Sequence, residues 1–184
     1  MTEAGPTHRF HADEDRAILR RRAESLAQAG EEAIAIETVG LLLFRLGEEW
    51  YAVPIERVRE IYNEYAVTRV PRVPDFVLGV VNVRGEIVSV TDIATLMRVP
   101  SRTEIDLSDE KPPAIIVAND TCSSAIVVDE IGDIVDVPKG SVEPPLSTLD
   151  KSQIEYIAGS VFIEGRLIGI VNLEKALEPV GENT

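Results

Sequence analysis

The nineteen residues from Gly79 to Met97, GVVNVRGEIVSVTDIATLM, have a second version from Gly159 to Leu177, GSVFIEGRLIGIVNLEKAL, at a constant offset of 80 (159 − 79). Each version reads as a β-hairpin followed by one capped helical turn. Val80, Val81 and Val83 lead into a turn at Arg84-Gly85, and Ile87, Val88 and Val90 lead back out. Gly85 and its counterpart Gly165 supply the left-handed backbone such a turn needs. Asp92 and its counterpart Asn172 can each accept from the orphan N–H groups of the helical turn that follows. An earlier block repeats as well. Ala52 to Ile61 aligns with Ala125 to Ile134 at an offset of 73 (125 − 52). Two blocks recurring in the same order predict a duplicated unit of roughly 70 to 80 residues, a size at which small domains fold.

The rest of the chain fits around this repeat. Residues 1–38 read as a leader: His11 to Ala29 lacks Gly and Pro and has a thin apolar stripe at helical spacing, ending near Gly30. From Val39 the period becomes two, with strands on either side of a Gly47-Glu48-Glu49 turn. Pro54 breaks the second strand, and Glu56 to Ile61 could form a short helical turn. Pro100 to Pro113 reads as an exposed seam, Pro138 to Gln153 as a long loop, and 179–184 as a tail. The expected body is therefore 39–178, divided into a first β module at 39–102 and a second at 111–178. Many short strands with turn residues between them point to small barrels rather than a parallel sheet.

Composition excludes several classes of function. A formal charge of −14 repels nucleic acid and anionic membranes, and aromatic residues at 5% leave few platforms for base stacking. Cys122 is the one cysteine, so there is no internal disulfide, which fits a reducing compartment and a cytoplasmic location. Both histidines, His8 and His11, lie in the leader, and no nucleophile elbow, Walker loop or dinucleotide glycine pattern occurs. Glu56, Glu60, Asp129, Glu130 and Asp133 could pair for acid–base work, but they recur at a strand-to-turn position in both copies, where structural roles account for them. No catalytic, cofactor or metal site is expected.

Differences between the copies mark what is particular to one of them. Arg84 stands opposite Glu164, and Asn82 opposite Phe162. An Arg at a hairpin tip can make a forked pair with a partner's carboxylate, or it can be a simple surface charge. Val58 and Ile61 match Ile131 and Ile134, which either line a groove or pack in the core.

Taken together, LLLFRLGEEWYAVPIERVREI, VTRVPRVPDFVLGVVNVRGEIVSVTDI, AIVVDEIGDIVDV and YIAGSVFIEGRLIGIVNLEKAL resemble the chemotaxis coupling protein family, CheW, over roughly Val39 to Leu177. The most specific pieces are Gly79 to Gly85 and Ala125 to Asp129. The family more often has Leu at Val83, Pro at Ser89 and Gly at Ala125. The resemblance implies a mainly β fold of two SH3-like five-stranded barrels packed together, with short helices and no catalysis or cofactor. It also implies partners: the regulatory domain of a CheA-type histidine kinase, and the cytoplasmic tip of a chemoreceptor held in a groove between the barrels. Carried over by motif, the protein-binding candidates are Val58, Glu60, Ile61, Gly79, Arg84, Ile131 and Ile134. An SH3-like ligand-binding module and an adaptor in a non-flagellar chemosensory pathway are the alternatives.

Overall fold

A computed structural model describes residues 36–100, 111–145 and 151–178. The leader helix expected over His11 to Ala29 and the centre of the seam lie outside the described residues.

The first strands are β1 (Thr38–Leu46) and β2 (Glu49–Pro54). The helical turn expected over Glu56 to Ile61 is shorter, a 3-10 turn at Ile55–Arg57. The chain then extends as β3 (Val58–Tyr62), because pairing with a later strand outweighs local preference there. The first hairpin is β4 (Val77–Val83) and β5 (Glu86–Asp92), followed by helix α1 (Ile93–Met97). Next come β6 (Ala114–Ala118), β7 (Ser123–Val127) and β8 (Glu130–Pro138). The end of the expected long loop is helical, as α2 (Lys151–Ile154), and β9 (Ile157–Ile163), β10 (Arg166–Val171) and α3 (Leu173–Ala176) close the body. Asp92 Oδ1 accepts from Thr95 N at 3.1 Å and Asn172 Oδ1 from Lys175 N at 3.3 Å, so both caps act where the repeat placed them.

The strands form two five-stranded sheets, ordered β8-β1-β2-β10-β9 and β3-β6-β7-β5-β4. Replacing each strand by its counterpart in the other copy turns one order into the other, so the duplication is structural. The expected boundaries of its modules need correction. The first sheet takes β1 and β2 from the N-terminal half and β8, β9 and β10 from the C-terminal half, and the second sheet is the converse. Modules at 39–102 and 111–178 are therefore not the folded units. The links decide this: residues 55–57 between β2 and β3, and 128–129 between β7 and β8, carry the chain straight from one sheet to the other. Among the described residues no backbone ladder joins β3 to β4 or β8 to β9, so the closure a barrel requires is not among these pairings.

Alternation along each strand fills three apolar clusters. One face of β1 and β2 sends Leu42, Phe44, Tyr51 and Val53 to meet Ile115, Val117 and Ile126 of the other sheet, with Ile93, Met97 and Leu173 from the helices. The opposite faces give each sheet a cluster of its own: Val81, Val88, Val90 and Ile116 in one, Leu41, Ala52, Val161 and Ile168 in the other. The seam ends in this core rather than in solvent. Pro112 is buried, and its carbonyl accepts the Tyr65 hydroxyl at 2.7 Å.

Burial raises the Tyr65 phenol from 10 to about 12. Below pH 10 both folded and unfolded chains keep this proton. As pH rises from 10 towards 12 the unfolded chain loses it first, so stability falls across that window. Tyr65→Phe is expected to cost about 1 kcal/mol at neutral pH by orphaning the Pro112 carbonyl. It should also make the alkaline loss of stability shallower than in wild type. Urea melts at pH 8, 10 and 11.5 check both, and parallel losses in the two proteins would refute the assignment.

Candidate functional site: the first hairpin tip and its edge strand

The first hairpin turns with left-handed backbone at both central residues, φ +52° at Arg84 and +93° at Gly85. Asn82 Oδ1 fixes the turn by accepting from Gly85 N at 2.7 Å. Arg84 is a costly choice at a position where Asn is preferred, which separates its side chain's role from the needs of the turn. That side chain is 77% exposed, and its Nη2 reaches Glu60 of β3 at 2.5 Å. A second pair runs alongside: Arg59 Nη1 lies 3.2 Å from Glu86 Oε2, while Ser123 Oγ donates to Glu86 Oε1 at 2.9 Å. Side chains thus tie edge strand β3 to the hairpin at the far end of its own sheet, around an open recess of about 270 Å³. Glu60 holds the Arg84 guanidinium above its ordinary pKa, so that side chain keeps its charge at every working pH.

Arg84 is therefore not idle at the tip. One arm of its fork is committed to Glu60, and the Tyr62 hydroxyl is a second partner for it. In the other copy the same positions are Glu164 and Asp133, both acidic, and Arg59 is replaced by Gly132, so this lattice of charges belongs to one copy alone. Arg59, Glu86 and Ser123 were not among the sequence candidates. The signal available for them was this same comparison, applied to neighbours of Glu60 as well as to the hairpin.

The remaining candidates separate by burial. Val58 and Ile131 are half-buried and pack on the core shared by the two sheets. Ile61, 43% exposed, and Ile134, 61% exposed, present apolar surface on the outer strands β3 and β8. Gly79 offers no surface. It is buried at φ +146°, and an added Cβ would lie 2.3 Å from the Thr68 carbonyl oxygen. There the 67–68 segment straps the edge of β4, with Thr68 and Val80 exchanging backbone hydrogen bonds of 2.8 and 2.9 Å. Gly159 has the same task under a strap at Glu143, whose carbonyl oxygen would lie 2.9 Å from a Cβ. Asp129, a sequence candidate for acid–base work, instead accepts from Gly47 N at 2.6 Å and so buttresses the β1–β2 turn.

Two interlocked sheets with a charged hairpin tip match a family model, described as CheW-like domain, across residues 40–180. The chain belongs to this family. It is 33% identical to the chemotaxis protein CheW of Klebsiella aerogenes over 146 residues, covering 78% of this chain and 86% of that protein. Against the CheW of Bacillus subtilis it is 28% identical, covering 75% and 86%. Protein FrzA of Myxococcus xanthus is similar too, at 28% identity over 73% of this chain and 82% of its own length. Among solved structures, the scaffolding protein TtCheW from Thermoanaerobacter tengcongensis aligns with a TM-score of 0.70 at 24% identity, over 80% of this chain and 98% of that one, a likeness of fold. As a CheW-like protein the chain is a non-enzymatic adaptor of chemotaxis signalling. No helix among the described residues is long and apolar enough to cross a membrane.

Proposed function

We propose that this CheW-like chain couples chemoreceptors to a CheA-type histidine kinase, binding the kinase through its regulatory domain and the receptor at its cytoplasmic tip. The reading is carried by the one-sided charge lattice of Arg84, Glu60, Arg59 and Glu86, and by the exposed Ile61 that follows Glu60 on the same edge strand. An exposed apolar residue and a partly committed guanidinium on one sheet suit a partner that brings both an apolar stripe and a carboxylate. Ile134 offers apolar surface on the other sheet for a second partner.

Such an adaptor makes and breaks no bonds. It raises the effective concentration of kinase at the receptor, so a change in the receptor can bias the kinase between its states. The protein would act in the cytoplasm, held at receptor assemblies by its partners. Arg84→Glu is expected to leave the melting curve nearly unchanged, because the side chain is exposed, while weakening partner capture on the order of tenfold, about 1.4 kcal/mol. Co-sedimentation with receptor-containing membranes and kinase measures this. Capture equal to wild type by the folded variant would defeat the assignment of Arg84.

A further inference from the structure

The copies also diverge on the outer face of the second hairpin. Glu49, Trp50 and Tyr51 stand opposite Cys122, Ser123 and Ser124 at the offset of 73, and Phe162, Leu167 and Gly169 stand opposite Asn82, Ile87 and Ser89 at the offset of 80. In the sheet containing β5 and β7 this position is filled with hydroxyls: Ser89 Oγ donates to Ser124 Oγ at 2.9 Å, and Thr91 Oγ1 is 3.0 Å from the same atom. In the other sheet the Tyr51 ring and Ile157 lie over Gly169, where an added Cβ would be 3.1 and 3.3 Å from them. A cavity of about 150 Å³ opens there, its lining including Glu49, Trp50, Tyr51, Ser160, Leu167 and Gly169. A dry protein cavity near that size accepts one benzene ring. Gly169 and Ser160 face each other across the ladder. Leu167 in turn faces Phe162, which is 69% exposed, so apolar surface continues beyond the mouth. One charge stands at the lining. Tyr51 Oη donates to Glu49 Oε2 at 2.8 Å, and among the described residues Glu49 makes no ion pair, which leaves Oε1 open.

We propose that this hollow is a docking pocket for a partner protein that inserts an aromatic side chain adjacent to a lysine or arginine. The ring enters the cavity beside the Tyr51 ring and Ile157, with Leu167 and Phe162 flanking its mouth, and the cation meets Glu49 Oε1. Ring-sized volume, a surrounding apolar rim and a single open carboxylate are what an anchor residue of this kind requires. The formal charge of −14 favours approach by a basic segment. The pocket is separate from the Arg84 lattice and requires neither kinase nor receptor.

The Trp50 indole packs on the opposite face of β2, against Gly132 and under Arg166, so the pocket is followed through its backbone amides. Capped tetrapeptides Gly-Phe-Lys-Gly, Gly-Phe-Glu-Gly and Gly-Ala-Lys-Gly are titrated into the full-length protein, followed by the backbone amide shifts of Tyr51, Leu167 and Gly169. The first is expected to saturate, with the other two at least about fivefold weaker, the scale of one exposed ion pair or one lost ring. Glu49→Gln should abolish the preference for Lys over Glu and leave the preference for Phe. Leu167→Ala, at a solvent-facing position that does not endanger folding, should weaken both Phe peptides. Absence of saturation, equal binding of all three peptides, or a charge preference that survives in Glu49→Gln would each overturn the proposal.

Discussion

A chain cut within 101–110 is expected to yield two fragments that are each unfolded alone and that regain the native melt when mixed. Each sheet needs strands from both sides of the cut: β1 and β2 are the centre of a sheet completed by β8, β9 and β10. The core between the sheets is likewise assembled from both halves, with Phe44 and Tyr51 against Ile115 and Ile126. For the N-terminal half to fold by itself, β3 would have to lie beside β1, where β8 now pairs. The three residues of the 55–57 link would then have to carry the chain back across two strand spacings, about 9.6 Å. The four Cα steps from Pro54 to Val58 reach roughly 14 Å when fully extended, so little slack remains for the bend the link contains. Circular dichroism melts of each fragment and of the equimolar mixture decide the matter. A cooperative melt from either fragment alone would show that strand exchange is not obligatory.

Gly79→Ala is expected to be the most damaging conservative substitution in the body, costing on the order of 3 kcal/mol, the sum of a backbone region open essentially to Gly and an overlap that neighbours must relieve. The added methyl would lie 2.3 Å from a backbone oxygen and 2.7 Å from Val67 Cγ1, and the former cannot swing aside as a side-chain end does. For a body of this size that is a drop of roughly 10 °C in the melting midpoint. Gly159→Ala should cost visibly less, because its closest approach is 2.9 Å and its φ is not positive. A Gly79→Ala protein melting within a degree of wild type would refute the strap as the reason for the glycine. This ranking also separates Gly79 from Arg84: loss of binding in Gly79→Ala should follow loss of fold, and in Arg84→Glu it should not.

The parts of this protein that could be read from its residues are those written in local chemistry. Gly85, Asp92 and the alternating valines specify a hairpin and a cap wherever they occur, so both hairpins and both short helices stood where the repeat put them. The exchange of strands could not be read in the same way. β1 and its counterpart β6 carry the same kind of apolar alternation, so pattern alone fits either partner, and the choice is made by the length of two short links. Among the site residues, Arg84 was legible as a departure from its twin, but its engagement with Glu60 depends on how the sheet brings β3 round to the hairpin. Gly79 was assigned to a binding surface because it sits inside the most distinctive stretch. Its actual work is steric, set by a strap 11 residues earlier that no period in the sequence announces.

The strand crossings bear on how the protein carries force. Two sheets joined by one flexible tether could each be tugged by its own partner without the other noticing. Here β2 runs into β3 and β7 into β8 almost without slack, so the surfaces bearing Arg84 and Ile134 belong to one stiff body with a fixed spacing. A displacement imposed at one face must arrive at the other as a rigid turn of the whole, the way a key transmits torque from bow to bit.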